Sequence, residues 1–259
     1  MKNVALITGA SSGIGKELAR IHASKGGDLI IVARSRGKLE ELKQELESQY
    51  STQVMVIEKD LAQAGAGREV YDEVKEAGEQ VDFLINNAGF GGVGKFHERE
   101  WQKDLDMINL NIVALTELTR CFLPDMVKRN RGKILNVSST ASLLPGPLQA
   151  VYYATKAYVT SFSNAIAEEL HDTNITVTAL MPGATETSFG SVSGMDKTEM
   201  FKDTANPETV AKDGYQAMLD GKLDVISGVP FVPRMMLKML PFTPKKMMLS
   251  QVRKMQEIK

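Results

Sequence analysis

The chain has 259 residues, of which 43% are hydrophobic and 24% charged, and its net charge is −1. This is an ordinary folded-protein composition with ample length for a core. A charge so near zero leaves no bulk field to attract nucleic acid. Cys121 is the only cysteine, so a disulfide within the chain is excluded. The first residues hold one short apolar run, Val4 to Ile7, too short for a secretory or membrane-spanning segment. A cytoplasmic protein is therefore expected.

Short β-branched runs alternate with longer helical patterns. The expected strands are residues 3–8, 28–33, 53–58, 81–86, 132–137, 176–181 and 222–227. Between them lie amphipathic stretches such as 37–49, where Leu39, Leu42 and Leu46 form one stripe. Such alternation points to a parallel sheet with helices on both faces, and right-handed crossovers favour a doubly wound α/β sheet. No internal repeat or Pro/Gly-rich linker divides the chain, so residues 1–229 are expected as one domain. Residues 184–206, rich in Ser, Thr and Gly, are expected as a long substrate lid before a helix opening at Asn206. Residues 230–259 form a basic, Met-rich extension of the same domain.

The first strand runs into TGASSGIGKELA, with Gly9, Gly13 and Gly15 spaced between a strand and a helix. Glycine permits a tight turn and close backbone approach. The helix that follows opens with free N–H groups and the positive end of its dipole, which suits a pyrophosphate. The spacing is not the G-x-G-x-x-G of the better-known dinucleotide fingerprint. A second glycine cluster, NNAGFGGVGK, follows the fourth strand without a clean helix start, and its latter half is read as a flexible loop. Further on, AVYYATKAYV places Tyr152 four and Tyr153 three residues before Lys156. On a helix either tyrosine sits beside the lysine, so periodicity does not choose between them.

Taken together, TGASSGIG (8–15), NNAG (86–89), Asn111, the serine pair Ser138–Ser139, Tyr152 with Lys156, and Pro182–Gly183 resemble the short-chain dehydrogenase/reductase family. The likeness spans roughly residues 3 to 230. It implies a Rossmann-type sheet of about seven strands in the order 3-2-1-4-5-6-7. The family motif is Y-x-x-x-K, which falls on Tyr152. The family serine stands thirteen residues before its tyrosine, and Ser139 stands thirteen before Tyr152. Tyr153 and Tyr158 are then packing residues.

The resemblance gives these residues chemical roles. A phenol with a pKa of about 10 is a poor acid and an unusable base near neutrality. A neighbouring ammonium favours phenolate and lowers that pKa. Tyr152 is thus the expected acid/base, with Lys156 lowering its pKa and binding the nicotinamide ribose. Ser139 polarises the substrate oxygen, and Asn111 supports a proton relay to the lysine. The cofactor contacts implied are Gly9, Ser11, Ser12, Gly13, Ile14 and Gly15 in the loop. Asp60 and Leu61 lie at the adenine, Asn87, Ala88 and Gly89 beside its ribose, and Pro182, Gly183 and Thr187 at the carboxamide.

Cofactor choice is read at the end of the second strand. NAD-preferring members place an acid there; this chain has Ala33 followed by Arg34, with Ser35 and Lys38 nearby. A carboxylate repels a 2′-phosphate and an arginine binds it, so NADP(H) is expected over NAD(H). Leu143, Leu144, Leu148, Phe189 and Met195 are candidate pocket walls, favouring an apolar ketone, aldehyde or 3-oxoacyl-type substrate. His22, His97 and His171 show no metal-ligand spacing, so no metal is expected.

The tail from Pro230 to Lys259 carries seven Lys or Arg against one Glu, about +6, and six methionines: Met235, Met236, Met239, Met247, Met248 and Met255. It can lie on an anionic membrane surface. Packing of a C-terminal helix on protein is preferred, because Pro233, Pro241 and Pro244 break any long membrane helix. The apolar stripes of residues 100–129 and 150–173, the latter including the expected catalytic helix, match family helices that pair across a two-fold axis, so a homodimer or homotetramer is expected. The competing reading is a catalytically silent NADP-sensing protein on the same fold, which the full set of Asn111, Ser139, Tyr152 and Lys156 argues against. A sugar-nucleotide epimerase needs a longer C-terminal substrate domain.

Overall fold

The computed structural model describes residues 3–230, 234–235 and 244–257. Its centre is a parallel sheet of seven strands: β1 (Val4–Thr8), β2 (Asp28–Ala33), β3 (Val54–Glu58), β4 (Val81–Asn86), β5 (Gly132–Val137), β6 (Ile175–Pro182) and β7 (Asp224–Ser227). Their order is β3-β2-β1-β4-β5-β6-β7, as expected. The strands read as unbroken apolar runs because both sheet faces are covered. Ala5, Ile7, Leu29 and Ile31 belong to one core, and Val4, Leu6, Ile30 and Val32 to the other. This is the period of two that a strand imposes.

Each face is closed by its own helices. On the first lie α1 (Gly13–Ser24), α2 (Arg36–Gln49) and, across the sheet, α8 (Pro207–Leu219). The stripe Leu39, Leu42, Leu46 of α2 is buried there, each side chain contributing about 1.5–3 kcal/mol. Asn206 caps α8, its Oδ1 accepting from Glu208 N–H at 2.7 Å. On the second face lie α3 (Ala66–Glu76), α5 (Leu115–Arg129) and α6 (Ala150–Glu169). A helix α4 (Trp101–Ile108) runs into α5 through a π-helical stretch, Asn109–Ala114.

The strand bounds and the lid differ from expectation. Several strands are offset by one or two residues: β1 and β3 begin one residue late and β7 two, while β6 starts earlier and runs on to Pro182. The stretch 184–206 is more regular than a loop. It holds a short helix α7 (Ser188–Ser193) and two 3-10 turns, Met195–Lys197 and Glu199–Phe201. Thr187 caps α7 by accepting from Phe189 N–H at 3.2 Å, and a bridge between Thr185 and Ala205 pins the base of the lid. Ser, Thr and Gly read as loop because they also cap and close short helices. In the tail, α9 (Lys245–Gln256) packs on the turn Glu199–Phe201 of its own chain. Pro233 and Pro241, with Met236 and Met239, lie outside the described residues.

The loop between β4 and α4 is irregular but tied down. Gly94 N–H donates to Leu148 O at 2.8 Å, and Val93 N–H to Ser193 O at 3.2 Å. Arg99 donates to Val93 O at 3.0 Å and grips Asp104 through two nitrogens, at 2.7 and 2.8 Å. Asp104 is 1% exposed. Removing one partner of a buried pair strands the other charge. Asp104→Ala is therefore expected to cost about 3–5 kcal/mol in urea unfolding, and a loss under about 1 kcal/mol would show the pair to be no more than a surface bridge.

Candidate active site

At the middle of the sheet, β1 and β4 end side by side. Thr8 Oγ1 accepts from the N–H groups of Asn87 and Ala88, both at 3.0 Å. Asn87 Nδ2 returns to Thr8 O at 2.9 Å and Gly9 O at 3.2 Å. Asn87 is thus spent on holding the glycine loop, and Thr8 is a partner the sequence reading did not name. Gly9 has a φ of +66°, and a Cβ there would stand 2.8 Å from Asn87 Nδ2 and 2.9 Å from Ala88 Cα. At Gly13 (φ +55°) a Cβ would stand 2.7 Å from Thr187 Cγ2. The loop therefore touches β4 on one side and the lid on the other. Ser12 Oγ also meets Ser188 Oγ at 3.3 Å.

The residues of α6 face the ends of β5 and β6. Ser138 anchors the helix, its Oγ donating to Lys156 O at 3.0 Å and meeting Thr160 Oγ1 at 2.7 Å. Ser139 Oγ accepts from Ala141 N–H at 3.1 Å, and its own proton has a distant acceptor, Pro182 O, at 3.5 Å. Lys156 donates to Val137 O at 2.9 Å, and its Nζ stands 6.0 Å from the centre of the Tyr152 ring. Asn111 lies in the π-helical stretch. Its Oδ1 accepts from Phe90 N–H at 3.1 Å, and its Nδ2 donates to Phe90 O and Thr155 Oγ1, both at 3.0 Å. A Cβ on Gly89 would meet Asn111 Oδ1 at 3.0 Å and Lys156 Nζ at 3.3 Å. The missing side chain of Gly89 thus brings asparagine, lysine and backbone together.

Burial governs the ionisation here. It pushes the Tyr152 phenol up to about 12, against the Ser139 hydroxyl, which favours phenolate. It pushes Lys156 down to about 8. The expected lowering of the phenol by the lysine is not what the protein alone produces. Both groups are taken out of water, and desolvation disfavours both charged forms. Tyr153 is raised as well, by burial first and by Tyr152 second.

These groups line one cavity of about 480 Å³. Every site residue named from the sequence borders it except Gly15 and Asn111, which stand behind the wall. Phe189 and Met195 also line it, joined by Phe90 and Phe201, which the sequence did not single out. Leu143, Leu144 and Leu148 do not line it. Leu144 packs against the outside of the small apolar cluster around Tyr152, and Leu148 spends its carbonyl on Gly94. Tyr158 is 37% exposed rather than packed inside, stacking on Phe162 at 5.6 Å.

The residues fit a dinucleotide. The cradle of Gly9 and Gly13 admits no Cβ, and a cavity runs from it to Tyr152. At its rim β2 ends in Ala33, and Arg34, Ser35 and Lys38 are exposed. Among the described residues neither Arg34 nor Lys38 has an ion pair, whereas neighbouring Lys59 is held by Glu69 at 2.8 Å. Asp60 borders the cavity while accepting from Ala62 N–H at 3.1 Å.

A parallel sheet of this order, with a glycine loop at its switch point and a Tyr–Lys pair beside a serine, defines a nucleotide-dependent oxidoreductase of the Rossmann type. The chain belongs to the short-chain dehydrogenase family, whose model matches residues 3–197. It is 31% identical to the human very-long-chain 3-oxoacyl-CoA reductase over 247 residues, 87% of this chain and 75% of that one. It is also 31% identical to dehydrogenase/reductase SDR family member 7B of Rattus norvegicus, over 97% of this chain and 82% of the relative. Among solved structures it resembles a short-chain dehydrogenase from Sphingobium yanoikuyae in complex with NADPH, with a TM-score of 0.83, 28% identity and 99% of both chains covered.

The burial of Lys156 sets a pH dependence. The unfolded chain holds the lysine proton up to its ordinary 10.5, the folded chain only to about 8. Between these values the unfolded state binds more protons, so stability rises with pH. Tyr152 opposes this only above its ordinary 10, where the folded state keeps the phenol proton longer. The urea midpoint of the ligand-free protein is expected to rise between about pH 7.5 and about pH 9.5, and Lys156→Met to flatten that rise. A variant with the wild-type slope would assign the effect elsewhere.

Proposed function

We propose that this protein is an NADP(H)-dependent reductase of carbonyl compounds, reversible toward secondary alcohols, acting on an apolar ketone or a 3-oxoacyl-type substrate. The observation that carries the reading is that Ser139, Tyr152 and Lys156 line the same cavity as the glycine loop and Arg34. The apolar wall of Phe90, Phe189, Met195 and Phe201 supports an apolar substrate. The names of the 3-oxoacyl-CoA reductase relative and of the NADPH-bound neighbour point the same way.

A nicotinamide bound in the cavity would supply or accept the hydride. The protein's part is the proton and the orientation of the carbonyl. Tyr152 gives its phenol proton to the carbonyl oxygen as negative charge develops there. Ser139 donates to the same oxygen, its proton turned outward by the bond it accepts from Ala141. Lys156, its pKa lowered to about 8 and so still mostly protonated near neutral pH, stabilises the anionic charge that appears on Tyr152. Asn111 fixes the backbone at Phe90 and the helix at Thr155, holding the path to Lys156 open for a proton relay. In this reading the protein is a cytoplasmic homo-oligomer joined through α5 and α6, whose outer faces expose Val127 and Tyr158.

The test is a panel of carbonyls and alcohols followed by NADPH absorbance. Tyr152→Phe is expected to abolish turnover while NADPH still binds, and Tyr153→Phe to retain turnover. A dead Tyr153 variant beside an active Tyr152 variant would reverse the assignment. NADPH binding without turnover of any carbonyl would favour the nucleotide-sensing alternative.

Arg34 is expected to set cofactor choice. Loss of a charge-assisted bond to the 2′-phosphate costs about 1.5–3 kcal/mol, so Ala33→Asp/Arg34→Ala should shift the NADPH/NADH ratio of kcat/KM by about one to two decades. A wild type that prefers NADH would overturn this part of the reading.

A further inference from the structure

The chemistry proposed above gives no part to Gln149, which borders the cavity and is only 3% exposed. Its backbone is committed. Its N–H donates to Gly146 O and its O accepts from Tyr153 N–H, both at 3.1 Å. Its side-chain amide is not committed: among the described residues Oε1 is buried without a partner. Gln149 stands at the N-cap position of α6, yet its side chain bonds no N–H of the first turn. Tyr153, on the same wall, differs, since its hydroxyl accepts from Gln256 Nε2 at 2.6 Å. Burying an amide oxygen without a hydrogen bond costs free energy, and a leucine would fill the place without that cost.

The backbone is strained to bring the amide there. Leu148, just before it, has a φ of +67°, one of two non-glycine residues with positive φ among those described. Leucine adopts that conformation only where the surroundings enforce it. Here Gly94 N–H holds it, donating to Leu148 O at 2.8 Å. The turn delivers Gln149 into α6 three residues before Tyr152, a spacing that makes two side chains neighbours on one face of a helix. With Oε1 buried, the N–H groups of Nε2 are the end left to the cavity. They are donors and nothing else. The side chains gathered around Tyr152, Phe90, Met195, Phe189 and Phe201, are apolar and give them no acceptor.

We propose that Gln149 is a specificity residue: its amide donates to a second carbonyl of the substrate, so the site takes a 3-oxoacyl compound in preference to a plain ketone. This rests on the carbonyl-reductase reading. The 3-oxo group is held by Ser139 and Tyr152, and the acyl carbonyl, two carbons along, meets Gln149 one helical turn away. The stranded Oε1 is stability given up to place a donor at that point. No proton moves at the amide, so its contribution falls on substrate affinity.

The experiment compares ethyl acetoacetate with 2-heptanone, a chain of similar length that lacks the second carbonyl. Wild type, Gln149→Leu and Gln149→Met are used, with NADPH affinity and melting temperature as controls of folding. KM and kcat are measured with NADPH. Affinity for the NADP+ complex, which has no hydride to give, is measured by calorimetry. Wild type is expected to favour the ketoester in both KM and affinity. Each variant should reduce that preference about tenfold, the scale of one buried hydrogen bond, the loss falling on KM rather than kcat. The melting temperature should hold or rise, because no amide oxygen is stranded. A wild type that treats the two compounds alike, or variants that keep its ratio, would overturn the proposal. Variants that weaken both compounds equally and melt lower would also overturn it and make Gln149 a packing residue. A binding preference that the variants lose, in a wild type that reduces neither compound, sinks the reductase reading alone and leaves the role of Gln149 standing.

Discussion

Two parallel strands paired side by side still part where their ladder stops at a switch point, unless something ties their ends. In this protein the bond between Thr8 and Asn87 does that work. One hydroxyl accepts the backbone N–H groups of Asn87 and Ala88, just past the end of β4, and one amide returns to two carbonyls of β1 and its loop. The arrangement satisfies backbone groups that the ladder leaves open. It also fixes how close Gly9 comes to Ala88, and that approach sets the curvature of the glycine loop. From there the constraint spreads: the loop touches Thr187 and Ser188 of the lid, and the lid carries Phe189 to Tyr152.

The site also shows why a fold keeps ionisable groups dry. In the protein alone, burial holds the Tyr152 proton on and loosens the Lys156 proton. A pair kept so dry responds strongly to any charge that appears beside it, because little water screens that charge. The backbone carbonyl of Val137 keeps the lysine in place meanwhile. The π-helical turn at Asn109–Ala114 shifts the register of the long helix so that Asn111 faces Phe90 and Thr155.

The strands, their order and most of the residues that line the cavity were legible in the sequence for different reasons. Runs such as Leu29 to Ala33 announce a sheet covered on both faces because no polar residue interrupts them. Tyr152 and Tyr153 were not separable by period, and the structure shows why: both rings are buried and both line the cavity. Only the register to Ser139 and Lys156 distinguishes them. Leu143, Leu144 and Leu148 misled because an apolar residue near a site reads alike whether it lines the cavity or backs it. Phe90 and Phe201 were missed for the same reason. Gln256 carries no local signal at all, since its partner lies 103 residues away. Thr8 was hidden in plain view, read as the end of a strand while its hydroxyl serves a strand that arrives much later.

That late arrival bears on how the protein comes into being. As the chain is made, β1, β2 and β3 can pair in turn, and Gly9 N–H reaches Val32 O at the end of β2, yet the other side of the glycine loop stays open until residues 86–88 emerge and dock against Thr8. Contacts across such sequence separations form slowly and leave apolar edges exposed while they wait. The Lys156 and Tyr152 end follows later still. A nucleotide met early in synthesis therefore finds half a cradle, and only a chain extended past Thr187 and Ser188 offers the whole one.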